Sequence, residues 1–304
     1  MKYGKIPHLD KPISKLVMGV IPLPQDDLVR AFELLDAYRT IGGNVIDNSY
    51  TYGPGISGVM RAYYEKNGED ALIRLDKGNH HASNNDEGRR VTKQAMDEQI
   101  KANLERQGVS YSDLYLLHRD DERVPVGEIV EWLNEHRAAG RIHAFGGSNW
   151  RHTRIAEANE YADKHGLQGF SASSPNLSLA IANEPMWWEA LSISNDKAAR
   201  AYYRESRVPV FSWSSGGGGF FAGIESDNVK RVYHNATNFE RKERLEKMAA
   251  DKGVTATQLA LAWTLNQPLE IWALIGPANP DQLADNAKSI DINLTQDELD
   301  WLEG

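Results

Sequence analysis

Short apolar runs bounded by turn residues recur along the whole chain, at 15–20, 44–47, 71–77, 113–118, 142–149, 169–174, 209–214 and 271–277. Several of them show little alternation between apolar and polar positions. That is the pattern of strands covered on both faces, as a parallel sheet requires. Between them the apolar period lengthens to that of a helix. The segment 26–41 carries Leu28, Ala31, Phe32, Leu35 and Ala37 and stops at Gly42-Gly43. The segments 92–107, 126–139 and 151–165 run up to Gly108, Gly140 and Gly166, the residue type that ends helices most readily. Thr255 with Gln258, and Thr295 with Glu298, fit the reciprocal capping pattern of a helix start.

Eight strand-then-helix units in 304 residues give about 38 residues per unit. No charge block, composition shift or Pro/Ser linker divides the chain. The pattern therefore predicts a single (β/α)8 barrel over residues 1–304 rather than two doubly wound domains. The residues before the first strand are expected to form a short hairpin closing the bottom of the barrel.

Composition narrows the chemistry. With 34 Lys and Arg against 43 Asp and Glu, the net charge is -9, unsuited to a general nucleic-acid binder. No cysteine is present, which excludes disulfides, thiolate metal ligands and a cysteine nucleophile. No apolar run is long enough to span a membrane, and the first residues lack the apolar core of a signal peptide, so a cytoplasmic protein without membrane partners is expected.

In such a barrel the chemistry gathers where the strands end. The strand ends here carry Gly19, Asp47, Lys77, His118, Ser148-Asn149, Ser173-Ser174, Ser212 to Ser214 and Gly276. Singly, an Asp after a strand is a turn former, and a Lys or His there is a solvated or structural residue. Three titratable groups closing three successive strands converge on one mouth, and that convergence marks a site. Tyr52 lies five residues beyond Asp47 in VIDNSYTYG.

These residues resemble the aldo-keto reductase family, barrels that use a nicotinamide cofactor without a Rossmann domain. The likeness rests on Asp47, Tyr52, Lys77, and His118 in DLYLLH. It continues through AGRIHAFGGSN, PVFSWSSGGGGFFAG and LIGPANPDQLADN, so it spans the chain in order. It implies reduction of an aldehyde or ketone, including sugar-derived ones, by NADPH or NADH, with Tyr52 as the proton donor. Asp47 would hold Lys77, Lys77 would lower the phenol's pKa, and His118 would orient the carbonyl. Tyr50 is a competing phenol, disfavoured by its spacing from Asp47. The resemblance also implies a cofactor site from Gly19, Asp47, Ser148, Asn149, Ser174, Phe211, Ser212, Ser214, Gly216, Gly276, Gln282, Asp285 and Asn286. Three departures from the family pattern stand out. Ser174 replaces a usual Gln, Phe211 stands where a stacking Tyr is common, and GISGVM lacks the usual acid after the tyrosine motif.

Other features have plainer readings. The run Gly216 to Gly219 reads as a flexible loop, or alternatively as a pyrophosphate cradle of backbone N–H groups. His80-His81 lacks metal-site spacing and reads as a surface pair, so no metal is expected. Trp187 and Trp188 are either core residues or part of the substrate pocket. No Lys or Arg occurs between Asn266 and Ala287, where a basic clamp for a 2′-phosphate is expected, leaving Arg241, Lys242 and Arg244 as substitutes. Two rival readings are a glycoside-processing barrel using Asp47, Asp120 and Asp121, and a cofactor-binding sensor subunit that turns over little.

Overall fold

In the computed structural model, which describes residues 1–82 and 86–304, the eight apolar runs become eight parallel strands closed into a barrel. A two-stranded antiparallel hairpin, β1 (Tyr3–Gly4) and β2 (Ile13–Ser14), precedes them. The barrel strands are β3 (Leu16–Gly19), β4 (Val45–Ser49), β5 (Ile73–Gly78), β6 (Ser112–Leu117), β7 (Ile142–Ser148), β8 (Ala172–Ser174), β9 (Val210–Ser212) and β10 (Ile271–Ile275). β10 pairs with both β9 and β3, and this closes the ring.

Successive side chains of a strand point to opposite faces, which sorts the core into two layers. Val17, Val45, Leu75, Leu114, Ala172 and Trp272 are among those that fill the barrel interior, and Ile6, Leu9 and Ile13 of the hairpin segment plug its bottom. The alternate residues pack against the surrounding helices. A buried polar knot ties that outer layer together. Asp76 accepts from Asn48 Nδ2 at 3.0 Å, Gln107 Nε2 at 2.9 Å and Ser112 Oγ at 2.7 Å, joining β4, β5, β6 and the helix over β5.

The helices anticipated from apolar spacing are α1 (Leu28–Thr40), α3 (Lys93–Gln107), α4 (Val126–Ala138) and α5 (His152–His165). α9 (Ala256–Leu265) and α11 (Gln296–Glu303) begin with the two capping boxes, both formed as expected. α2 (Gly53–Asn67), α6 (Lys197–Ser206), α7 (Asp227–Tyr233), α8 (Ala236–Lys252) and α10 (Pro280–Lys288) complete the set among the described residues. None of these helices is long and apolar enough to cross a membrane.

Candidate active site

Asp47 on β4 and Lys77 on β5 both point into the barrel near its upper rim, two positions above the apolar layer of Val45 and Leu75. Lys77 Nζ lies 2.6 Å from Asp47 Oδ1 and 2.7 Å from Oδ2, and both residues are 4% exposed. Burial works against the Lys77 ammonium, but the Asp47 carboxylate more than offsets this and holds it above the usual lysine range. Ser49, the next inward residue of β4, caps the turn Tyr50–Tyr52 by accepting from Thr51 N at 3.3 Å. That turn swings Tyr52 back over the strand end. The chain then leaves into α2 through Gly53, whose φ of +92° is a conformation that suits glycine.

Tyr52 Oη sits 3.5 Å from Asp47 Oδ2, and Lys77 Nζ is 5.4 Å from the centre of its ring. Lys77 lowers the phenol's pKa as expected, but the net shift is upward. Burial pushes Tyr52 up to about 12; Lys77 pulls it down, but not far enough to cancel burial. The phenol is therefore protonated at neutral pH. His118, at the end of β6, has its ring centre 6.3 Å from that of Tyr52. Its Nδ1 lies 3.1 Å from Ser49 Oγ. Burial, together with Lys77 and Arg119, holds His118 well below the ordinary histidine range, so the ring is neutral. Tyr50 takes no part. Its hydroxyl accepts from Arg106, whose guanidinium lies over its ring.

These four residues line one cavity of about 320 Å³ at the C-terminal mouth, together with Gly19, Ser148, Asn149, Ser214, Gly276 and Trp187. A larger hollow of about 600 Å³ lies at the opposite end, around His8, Tyr111 and His143, and contains none of them. The mouth is the chemically equipped end, as barrel architecture dictates.

Several expected residues stand elsewhere. Phe211 does not reach the mouth. It is fully buried in the barrel interior and stacks on Trp272, with ring centres 5.2 Å apart. Trp213, two residues on and so on the same face one layer higher, is the aromatic that lines the cavity. Ser212 Oγ points outward and donates to Leu177 O at 2.6 Å. Ser174 Oγ donates to Phe211 O at 2.7 Å within the sheet. Gln282, Asp285 and Asn286 lie on α10, away from the cavity lining, with Gln282 Oε1 accepting from Ala278 N and Asp285 accepting from Gln258. The glycine run is not loose. Gly216 leads into a turn in which Gly217, Gly218 and Gly219 all have positive φ, and a Cβ on Gly218 would crowd Tyr233 at 2.9 Å.

His80 and His81 are not a surface pair. His81 is 7% exposed and its Nε2 meets Glu189 at 2.7 Å, while His80 packs edge-on against His118 at 4.7 Å. The two tryptophans part company: Trp187 lines the cavity, whereas Trp188 packs on His81 and Arg89. Arg241 is buried and spent on Leu179 O and Glu303 O. Lys242 lies over the Phe220 ring, and Arg244 lies beside the chain's last residue, Gly304. Asp120 is tied to Arg154 and Asp121 to Arg123, so neither offers the mouth a second carboxylate for glycoside chemistry.

A flat aromatic ring and a narrow polar edge fit this cavity. Trp213 presents a ring edged by Ser148 and Asn149, although Asn149 Oδ1 already accepts from Leu191 N and Trp213 Nε1. On the opposite side Gly19 and Gly276 keep the rim open. A Cβ on Gly19 would come 3.3 Å from Ile275 O, and one on Gly276 would come 3.4 Å from Pro22. Among the described residues no group of acidic and histidine side chains is arranged to hold a metal ion. Sequence reasoning missed Ser49, Trp213 and Arg119 as cavity residues or their neighbours. Ser49 and Trp213 each lie two positions beyond a residue that had been chosen, which is the signal a strand period provides.

Comparison with known proteins places these features in context. The sequence profile of the Aldo/keto reductase family matches residues 15–304. An uncharacterized oxidoreductase, YrpG, of Bacillus subtilis is 23% identical over 99% of this chain and 95% of its own length. A putative voltage-gated potassium channel subunit beta of Schizosaccharomyces pombe is 24% identical over 66% of this chain, and the match spans 60% of that relative. Among solved structures, a thermostable aldo-keto reductase crystallised with the inhibitor epalrestat superposes with a TM-score of 0.76 at 19% identity, covering 100% of this chain and 99% of the other.

Proposed function

The chain belongs to the aldo/keto reductase family, and from that premise we propose that it reduces the carbonyl group of an aldehyde or ketone with NADPH or NADH. The observation that carries this reading is the meeting, in one cavity at the barrel mouth, of a phenol, an ion-paired ammonium and a neutral imidazole. The nicotinamide, when bound, supplies the hydride. Trp213, Ser148, Asn149, Gly19 and Gly276 are the residues that would hold its ring. Tyr52 Oη donates the proton to the carbonyl oxygen, the general-acid role that its protonated state at neutral pH suits. The phenolate left behind faces the Lys77 ammonium, which Asp47 keeps charged and in place. His118, neutral and held at Nδ1 by Ser49, hydrogen-bonds and orients the carbonyl.

The test is direct. The purified protein, given each reduced nicotinamide and a panel of aldehydes, ketones and oxidised sugars, should deplete the nicotinamide absorbance. A rate no greater than that without protein, across the panel and with both cofactors, would overturn the assignment. A second reading draws on the channel-subunit relative: a cofactor-binding subunit with little turnover. It predicts tight binding of NADPH or NADH and a single slow oxidation of the bound cofactor without steady-state cycling, a pattern that rapid-mixing experiments distinguish from an enzyme.

A further inference from the structure

One charged side chain at the cavity has no task in the chemistry above. Arg119 follows His118 directly, is 2% exposed, and lines the same cavity. Two of its nitrogens are held by main-chain carbonyls. Nη1 donates to His118 O at 2.7 Å, and Nε donates to Trp188 O at 3.2 Å. Those bonds aim the guanidinium but bring no negative charge to it. No carboxylate among the described residues comes within 4.0 Å of it. Glu189, the acidic group that acts on it most, is already engaged by Arg89 and by His81 Nε2.

The rest of the cavity does not compensate it either. The charge of Lys77 is matched by Asp47. Burial lowers His80 and His118, so both rings are neutral, and it lowers Arg119 to about 10, which leaves the guanidinium protonated at neutral pH. Among the described residues the mouth thus holds a single unspent positive charge. Nη2 is without a protein acceptor among the described residues. A buried cation in this position is costly unless an anion joins it.

We propose that Arg119 recognises a carboxylate on the substrate, so that the preferred substrates are small aldehydes or ketones that also carry a carboxylate. This rests on the carbonyl-reductase reading and extends it to a substrate class. One unspent cation is matched by a monoanion, whereas a phosphate dianion would bring a second negative charge with no partner cation among the described residues. The volume of about 320 Å³ favours a short molecule. The apolar surfaces of Ile21, Pro22, Leu274 and Trp187 suit a short hydrocarbon chain between the two polar ends.

Matched pairs of substrates test this with NADPH as the reductant. In the wild-type protein, kcat/KM for 4-oxobutanoate should exceed that for butanal by at least about tenfold, since hydrogen bonds to a charged group are among the stronger ones. In Arg119→Gln the ratio should fall to near one, chiefly through the KM of the acid. A general loss of packing at His118 would instead lower both rates and leave the ratio. A wild-type ratio near one overturns the proposal whether or not the variant folds, and so does a ratio that survives in Arg119→Gln. A stronger preference for glyceraldehyde 3-phosphate over glyceraldehyde than for the acid over butanal would replace the carboxylate by a phosphate, and so overturns it too. If the wild type turns over neither aldehyde, calorimetry decides the anion site, and the reductase reading is decided separately by the wider panel with both cofactors. Calorimetric binding of 4-oxobutanoate to the wild type and not to Arg119→Gln would still support the anion site, and no binding would overturn it.

Discussion

At the scale of single residues, the proposed chemistry turns on the protonation of Tyr52. Its phenol, raised to about 12 by burial, stays loaded as an acid through the neutral range. Tyr52→Phe keeps the ring and removes the proton, so kcat for carbonyl reduction is expected to fall by about 100-fold or more while cofactor affinity, read by fluorescence titration, stays nearly unchanged. A loss smaller than about tenfold would remove Tyr52 from the donor role. Lys77 acts on the same proton. It is the cation that lowers the phenol's pKa, so Lys77→Met should raise that pKa further. Alcohol oxidation, which needs the phenolate, should then begin at a higher pH than in the wild type, and an unshifted pH–rate profile would leave Lys77 a purely structural role. Asp47→Asn isolates the other half of the pair. It strands a buried ammonium and should cost about 3–5 kcal/mol in urea unfolding at pH 7. The folded pKa of Lys77 is raised, so its contribution is present below the ordinary lysine value and is lost as the pH climbs through the raised one; burial also raises the Asp47 carboxyl, so acid breaks the pair from the other side. Asp47, Lys77, Tyr52 and His118 were legible in the sequence because each sits at a strand end or at a fixed step from one. Arg119 was not. Beside a strand-end histidine an arginine looks like any solvated charge, and only its burial and its missing counter-ion set it apart.

At the scale of elements, the strands were easy to read because burial on both faces writes an apolar run, and their ends were found to within a few residues. The misplacement of Phe211 shows the limit of that signal. A run fixes the strand, but whether residue 211 or 213 stands at the rim depends on how far up the barrel the strand reaches. Helix α2 escaped notice for a different reason. Its first six residues include Gly53, Pro54, Gly55 and Gly58, a composition that opposes helix formation, and packing of Ile56, Val59, Met60 and Tyr63 onto the core overrides it. Two glycine substitutions with opposite expected signs follow. Gly146 on β7 faces the neighbouring strand so closely that a Cβ would collide with the Ala172 carbonyl. Gly146→Ala should therefore destabilise by about 3 kcal/mol or more, because the Ala172 backbone must move to make room. Gly58, exposed within α2, has nothing within 4 Å of a Cβ and an ordinary φ. Gly58→Ala should stabilise by about 0.4–1 kcal/mol through the unfolded chain's lost freedom. Thermal or urea unfolding of the two variants checks both, and a destabilised Gly58→Ala would mean that α2 needs its glycine for a reason outside the folded contacts.

At the scale of the whole molecule, the distribution of charge bears on which cofactor the barrel takes. The chain carries a net charge of -9, and the stretch from Asn266 to Ala287, covering β10 and nearly all of α10, holds no Lys or Arg. Of the three cations that sequence offered as substitutes, Arg241 is committed to two main-chain carbonyls, and Arg244 lies beside Gly304. Lys242 remains, with its ammonium 5.5 Å above the Phe220 ring, at the edge of the glycine turn. A 2′-phosphate meeting one ammonium gains less than one clamped by a guanidinium, whose charge-assisted bonds contribute about 1.5–3 kcal/mol each. NADPH and NADH should accordingly serve with kcat/KM values within about 100-fold of each other, a gap of about 2.7 kcal/mol. Lys242→Ala should narrow that gap further, by lowering NADPH affinity while leaving NADH affinity unchanged. Titrating both cofactors into the wild type and the variant separates the outcomes. A preference for NADPH beyond 100-fold that Lys242→Ala leaves intact would require a phosphate clamp built from residues other than these three.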